Sequence, residues 1–163
     1  YTERLRRHLG ERLITRGNWG DARSRDPERF FAQKLRCSPG ALSVLDPDLQ
    51  ALGPERVATF ARRHGAAVAA GVDAGLLRDG PAEAVAARIR HYLDHLAREG
   101  RCQIHLNQIP ADTPPDHVHA AVAACRAYGH RPLPEDPEAR PLVMPQRESF
   151  QVFLRRQGAS GKI

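Results

Sequence analysis

Six polar side chains in this sequence each stand near the end of a short apolar stretch, and together they could bind and protonate a small acid. The stretches are Arg12–Asn18, Ala41–Asp46, Ala66–Asp73 and Cys102–Asn107. In parallel α/β folds, ligands bind at the carboxyl ends of the strands, so residues at these positions are candidates for one shared site. The six residues are Arg16, Asn18, Asp46, Asp73, His105 and Asn107.

These side chains differ in the chemistry they offer. Arg16 suits a carboxylate or phosphate because its guanidinium donates two parallel hydrogen bonds. Asp46 and Asp73 could act as acid and base or hold polar groups of a ligand, and His105 could transfer a proton near neutral pH. We predict Asp46, Asp73 and His105 as catalytic residues and Arg16, Asn18, Trp19 and Asn107 as substrate-binding residues.

Each candidate also has a structural alternative. Either aspartate could cap the helix or turn that follows it. Arg16 could form a surface ion pair, His105 could be a hydrogen-bonded core residue, and Trp19, the only tryptophan, could pack beneath a loop instead of forming a pocket wall. The sequence leaves these alternatives open.

A metal site is not predicted. His91 and His95 are four residues apart, which places both imidazoles on one helix face, but no third ligand follows at a suitable spacing. His117 and His119 are two apart on a predicted helix, and we expect both to be solvated. The three cysteines are odd in number and widely spaced, which argues against a disulfide scaffold and predicts a reducing, cytoplasmic environment.

The composition narrows the classes of partner. The formal net charge is +6 and aromatic residues make up 6% of the chain. Nucleic-acid-binding domains usually combine a basic face with stacking aromatics, whereas the basic residues here are spread throughout, so nucleic-acid binding is only a minor alternative. No apolar stretch approaches the roughly 20 residues of a membrane span. The positive charge could simply reflect an arginine-rich surface, or it could indicate an anionic partner. The strand-end residues point to an anionic small molecule as that partner.

The elements that would position the candidate residues alternate between strand and helix. Ala41–Leu45 and Ala66–Val72 are nearly continuous apolar runs, typical of buried parallel strands. We predict an α/β fold of parallel βα units, which is either half of an eight-unit barrel or a small open sheet. It would occupy residues 1–130, with a proline-rich extension over 131–163. The predicted helices are Thr2–Gly10, Pro27–Leu35, Pro54–His64, Pro81–Glu99 and a last one that ends near Tyr128.

The second half of the predicted domain carries motifs that point to a family. They are Gly71-Val72-Asp73, a helix opening at Asp79-Gly80-Pro81, the loop Ile109-Pro110-Ala111-Asp112-Thr113-Pro114-Pro115 and the closing Tyr128-Gly129. This stretch resembles the carboxyl-terminal half of the uroporphyrinogen decarboxylase family, which includes porphyrin decarboxylases and corrinoid-dependent methyltransferases. The resemblance implies a (βα)₈ barrel and a portion of an enzyme that binds an anionic small molecule for decarboxylation or methyl transfer.

The chain also departs from that family. The positions that hold zinc in the methyltransferases fall on Ile14, Arg16 and Asn107, and none of these is a usual zinc ligand. Zinc chemistry is therefore not expected, and the cofactor is left open. The porphyrin decarboxylases carry a histidine at the position of Asn107. His105, two residues earlier on the same strand face, could substitute for it.

The amino-terminal half of such a barrel has no counterpart in this sequence. We expect it to come from further sequence or from a second subunit, or to be absent. The alternative function is therefore a non-catalytic partner: a half-barrel that completes another polypeptide, or a degenerate domain kept for assembly. A half-barrel leaves two open sheet edges, which proteins normally pair or cover.

Overall fold

A parallel sheet of three strands organises the part of the chain that the structure describes. The structure is a computed structural model, and it describes residue 7, residues 21–98, residues 100–129 and residue 133. The predicted site residues Arg16, Asn18 and Trp19 lie outside the described residues. The same holds for the predicted strand over 12–16 and for nearly all of the predicted helix over 2–10 and the extension over 131–163.

The strands are β1 (Ala41–Leu45), β2 (Ala67–Val72) and β3 (Cys102–Leu106), in the spatial order β1-β2-β3. Both pairings are parallel, and the register places Leu45 beside Gly71 and Gly71 beside His105. Helices separate the strands along the chain. The prediction of an α/β fold made of parallel βα units is confirmed.

Within residues 21–129, six α-helices accompany the strands. A 3₁₀ turn over Asp21–Arg23 precedes the first helix, which Asp26 caps by accepting a hydrogen bond from the Arg29 backbone N–H at 3.0 Å. Gly53, with a φ of 82°, separates the second and third helices in a backbone conformation that favours glycine. The helices are α1 (Pro27–Cys37), α2 (Asp46–Leu52), α3 (Pro54–Arg63), α4 (Ala74–Asp79), α5 (Ala82–Tyr92, continued by a π-helical turn over Leu93–Ala97) and α6 (Pro115–Tyr128).

The helices that form the core pack on one face of the sheet. Side chains alternate along a strand, so the register places Leu42, Val44, Val68, Ala70, Val72, Ile104 and Leu106 on the same face. All of them belong to or pack against two hydrophobic clusters shared with the helices. Phe60 of α3 and Tyr92 of α5 both lie in the first cluster, together with Phe31 of α1.

This arrangement follows from the strand order. Because the strands are adjacent in chain order and right-handed crossovers are the rule, successive connecting helices fall on the same side. The sheet is therefore wound in one direction, as in (βα)₈ barrels, and the described units are consistent with part of a barrel. The opposite face, the interior in a barrel, carries small or polar side chains such as Ser43, Ala69 and Gln103 beside Gly71 and His105.

A buried ion pair, together with a hydrogen bond to β1, connects α1 to the sheet. Lys34 Nζ lies 2.6 Å from Asp21 Oδ2 and donates a second hydrogen bond, at 2.8 Å, to the Ser43 carbonyl of β1. Burial raises the pKa of Asp21 and lowers the pKa of Lys34, and their mutual attraction opposes both shifts. Asp48 joins this region by accepting a hydrogen bond from the Ala22 backbone N–H at 3.1 Å.

Candidate functional site

Three of the predicted site residues lie together at the carboxyl ends of the strands. Asp46, Asp73 and Asn107 each follow the last residue of a strand, in the order β1, β2 and β3. Asp46 Oδ2 accepts a hydrogen bond from the Asp73 backbone N–H at 3.0 Å. The Asn107 backbone N–H donates to the Val72 carbonyl at 3.4 Å. We call these strand ends, with His105, the strand-end rim.

The Asp46 carboxylate points into the protein interior. Its side chain is 1% exposed, and Oδ1 accepts hydrogen bonds from Arg88 Nη1 at 2.6 Å and from the Tyr92 hydroxyl. With the Asp73 backbone N–H on Oδ2, both carboxylate oxygens have protein partners. Gln50 Nε2 in turn donates to the Tyr92 hydroxyl at 3.0 Å. This geometry favours a structural role for Asp46 over the predicted acid–base role.

Electrostatics keep Arg88 charged and Tyr92 neutral. Burial alone would lower the pKa of Arg88, but its hydrogen bond to Asp46 and the charge of that carboxylate outweigh burial and raise it. Burial also raises the pKa of Tyr92, and the hydrogen bond and charge of Asp46 raise it further. At neutral pH Arg88 is therefore a cation and Tyr92 a neutral hydroxyl donor, and both can bind the carboxylate.

The two carboxylate oxygens of Asp73 have different surroundings. Oδ2 accepts a hydrogen bond from the Leu76 backbone N–H at 2.8 Å and so caps α4. Capping was the structural alternative for this residue, and it is observed. Oδ1 has no hydrogen-bond partner among the described residues, and the side chain is partly exposed. One acceptor oxygen therefore remains for a ligand.

The His105 imidazole lies against Gly71 of the neighbouring strand. A methyl group built on Gly71 would approach His105 Nε2 to 3.0 Å and Leu45 Cδ2 to 2.7 Å. A glycine inside a strand often marks such a close approach, and this signal was present in the sequence. The imidazole lies on the face opposite the helices, one residue below the strand ends. It is partly buried.

Three other contacts were not foreseen from the sequence. Arg88 and Tyr92 are 42 and 46 residues away from Asp46 along the chain, and no motif links them. His117 was expected to be solvated, but its Nδ1 lies 2.8 Å from the Leu77 carbonyl in a partly buried contact. Because a carbonyl can only accept, His117 Nδ1 carries the proton, and the contact ties α6 to α4.

The other histidine pair has structural partners. The His91 and His95 rings lie 4.5 Å apart, and His95 Nδ1 lies 3.2 Å from Glu55 Oε1. Within residues 21–98 and 100–129, no group of three or more histidine, cysteine, aspartate or glutamate side chains is arranged to hold a metal ion. The three cysteines are not in disulfides, and burial raises the pKa of the Cys125 thiol.

Two cavities lie away from the strand-end rim. One, of about 160 Å³, lies at the opposite end of the sheet, and charged side chains such as Arg62, Asp94 and Arg101 line it. The other, of about 320 Å³, opens between α5, β3 and α6, and it is mainly apolar. Its lining includes Val122, which is 44% exposed. We call this second cavity the β3 groove.

Comparison with known proteins does not assign the chain. No family model, curated protein or solved structure matches it. Among the described residues, none of the helices is both long and apolar enough to cross a membrane. The proposed function therefore rests on the rim residues and on the motifs between Gly71 and Gly129.

Proposed function

We propose that this chain is a portion of an enzyme of the uroporphyrinogen decarboxylase type, with a site for an anionic small molecule at the strand-end rim. The observation that supports the proposal is the position of Asp73, His105 and Asn107 at or next to the carboxyl ends of two adjacent parallel strands. The one-sided packing of the helices and the motifs between Gly71 and Gly129 support it. The reaction is decarboxylation or methyl transfer.

In a decarboxylation at this rim, each residue has a defined task. The bond between the substrate carbon and its carboxylate breaks, carbon dioxide leaves, and the electron pair stays on the carbon. A protonated His105 then donates a proton to that carbon. Asp73 Oδ1 accepts a hydrogen bond from an N–H or O–H group of the substrate, and the Asn107 amide binds a further polar group.

The proposal also needs a cation near the developing negative charge. Arg88 already binds Asp46 at 2.6 Å, so the cation assigned from the sequence is Arg16. Its guanidinium would hold a substrate carboxylate with two hydrogen bonds. Arg16 lies outside the described residues, and its role is a prediction from sequence position.

Nuclear magnetic resonance titration of the isotope-labelled chain with uroporphyrin, a porphyrin polycarboxylate, tests this proposal. We expect the amide resonances of Asp73, His105 and Asn107 to shift on binding. Asp73→Asn and Arg16→Met should each weaken binding by about tenfold, which corresponds to the loss of one charge-assisted hydrogen bond. Asp79→Asn is the matched control, because Asp79 lies on α4 but pairs with Arg78 at 2.6 Å in solvent.

Binding that is unchanged in both Asp73→Asn and Arg16→Met would exclude the proposed site. Acetate serves as a second probe in the same titration. If acetate shifts the same resonances, the rim recognises a carboxylate group; if only uroporphyrin does, it recognises the larger polyanion. Shifts confined to residues away from Asp73, His105 and Asn107 would contradict the proposal for both probes.

A second candidate function is a non-catalytic half-barrel that completes an assembly. The β3 groove favours it, because apolar side chains of β3 and α6 line a surface beside the outer edge of the sheet. Open strand edges and apolar surfaces are normally covered by another element or chain. The two candidates differ in the isolated chain: the first requires ligand binding at the rim, and the second requires association of chains.

A further inference from the structure

Arg88 belongs to no motif of the sequence, yet its guanidinium reaches the strand-end rim from α5. We propose that Arg88 is a positioning residue that orients Asp73 for the ligand by acting through Asp46. This inference rests on the proposed function, since it takes Asp73 Oδ1 as a ligand contact. Arg88 itself does not touch the ligand.

The coupling runs through two hydrogen bonds. Arg88 Nη1 donates to Asp46 Oδ1 at 2.6 Å, and Asp46 Oδ2 accepts from the Asp73 backbone N–H at 3.0 Å. The Asp46 side chain is 1% exposed, so water hardly screens these interactions. Hydrogen bonds to a charged group are shorter and stronger than neutral ones, and both of these involve the carboxylate charge.

Arg88 and Tyr92 together fix the rotation of the Asp46 carboxylate. Both donate to Oδ1, which leaves Oδ2 directed toward the Asp73 backbone N–H. Asp73 is then held at its backbone N–H and at Oδ2, which caps α4. Only Oδ1 remains without a described partner, and its direction is set by those two fixed points. Loss of Arg88 leaves the carboxylate with one neutral side-chain donor and freedom to rotate.

The coupling can be tested without a ligand, by the chemical shift and the solvent exchange of the Asp73 amide proton. An amide proton bound to a carboxylate resonates at unusually low field. In Arg88→Met we expect the Asp73 amide proton to move upfield and to exchange faster with solvent. Arg88→Lys, which keeps a cation on the same helix, should restore most of the wild-type position.

The affinity of the variants for uroporphyrin tests whether the coupling matters for ligand binding. We expect Arg88→Met to weaken binding by about tenfold, a size typical of a misplaced binding group, with partial recovery in Arg88→Lys. Arg90→Met is the matched control, because Arg90 lies two residues later on α5 and pairs with Asp94 at 3.8 Å. It should change neither the affinity nor the Asp73 amide resonance.

Circular dichroism first establishes that each variant is folded. If Arg88→Met is not, Arg88→Gln takes its place, because it removes the charge and keeps an N–H donor. An unmoved Asp73 amide resonance in the folded variant, or an equal loss of affinity in Arg90→Met, overturns the inference.

The two proposals fail in different ways. If the wild-type chain binds no uroporphyrin, the proposed function fails, and the Asp73 amide resonance still decides whether Arg88 and Asp73 are coupled. If the wild type binds and Asp73→Asn weakens binding while the Arg88 variants do not, only the positioning role is lost.

Discussion

Gly71 leaves the space in which the His105 imidazole lies, and replacing it with alanine tests that contact. The added methyl group would lie 2.7 Å from Leu45 Cδ2 and 3.0 Å from His105 Nε2. We expect Gly71→Ala to displace the imidazole and to lower the free energy of unfolding by about 2 kcal/mol, a usual cost of overpacking. Denaturant unfolding and the imidazole resonances of His105 measure the two effects.

The same substitution in a His105→Ala background is the control. Without the imidazole, one of the two side chains that the methyl group would approach is removed, so the loss of stability should be smaller. An equal loss in both backgrounds, with His105 resonances unmoved in Gly71→Ala, would mean that the ring does not occupy this space.

At the level of single residues, the sequence predicted the members of the rim better than their roles. Asp73 and Asn107 could be placed because each ends an apolar run, and strand ends of a parallel sheet meet at one edge. The burial of the Asp46 side chain could not be predicted from its position at a strand end. Its partners Arg88 and Tyr92 lie on a helix 42 and 46 residues later, and no motif marks either of them.

At the scale of the elements, the packing of helix α1 against the sheet depends on the buried ion pair between Lys34 and Asp21. Lys34→Met leaves the Asp21 carboxylate buried without its cation, and we expect this to lower the free energy of unfolding by about 3 kcal/mol. The double variant Asp21→Asn/Lys34→Met should lose less than the sum of the single changes, because neither group is then left charged alone. Chemical denaturation of the four proteins gives the coupling.

The exposed pair Arg63 and Glu28 is the matched control for that cycle. Its atoms lie 3.3 Å apart with both side chains largely in solvent, so Arg63→Met should cost about 0.5 kcal/mol or less. Additive losses in the Lys34–Asp21 cycle would show that the buried pair does not act as a unit.

The pH dependence of stability follows from the same pair. Burial raises the pKa of Asp21 above its ordinary value of 3.8, so the folded state binds this proton more tightly than the unfolded chain does. The contribution of Asp21 is therefore greatest below pH 3.8 and is lost as the pH rises through the raised pKa. Relative to wild type, Asp21→Asn should become more stable as the pH rises through that range.

A series of unfolding curves in acidic buffers measures this difference. If Asp21→Asn gains nothing relative to wild type as the pH rises, the carboxyl group does not titrate above its ordinary range. Lys34 has the opposite sign: burial lowers its pKa below 10.5, so its contribution is greatest above pH 10.5 and is lost as the pH falls through the lowered pKa.

The sequence predicted the strands and the longer helices of the described residues, and it missed the short helices and the π-helical turn. Strand β1 has the predicted bounds, β2 and α3 differ from prediction by one residue, and β3 lies within the stretch Cys102–Asn107. Long apolar or periodic segments are clear signals. Helices α2 and α4 were not among the predicted helices; Leu76 and Leu77 lie in α4, whose start depends on the Asp73 cap. The predicted helix over Pro81–Glu99 changes to a π-helical turn at Leu93, and Leu93, Leu96 and Ala97 are buried there.

For the molecule as a whole, the β3 groove tests whether this chain acts alone. The outer edge of β3 pairs with no other described strand, and Val122 is 44% exposed beside it. Exposed apolar surface next to an open strand edge favours association. We expect sedimentation velocity to show an average mass that rises with concentration, and Val122→Asp to shift the chain toward the monomer by placing a charge in the groove.

His119→Asp is the control for this experiment, since His119 is exposed on the same helix and is not among the residues that line the groove. It should leave the association unchanged. A chain that sediments as a monomer at every concentration, with or without Val122→Asp, would argue against self-association. Uroporphyrin binding by such a monomer would then favour the enzyme proposal, because a rim that binds its ligand without a second chain already contains the groups that recognition requires.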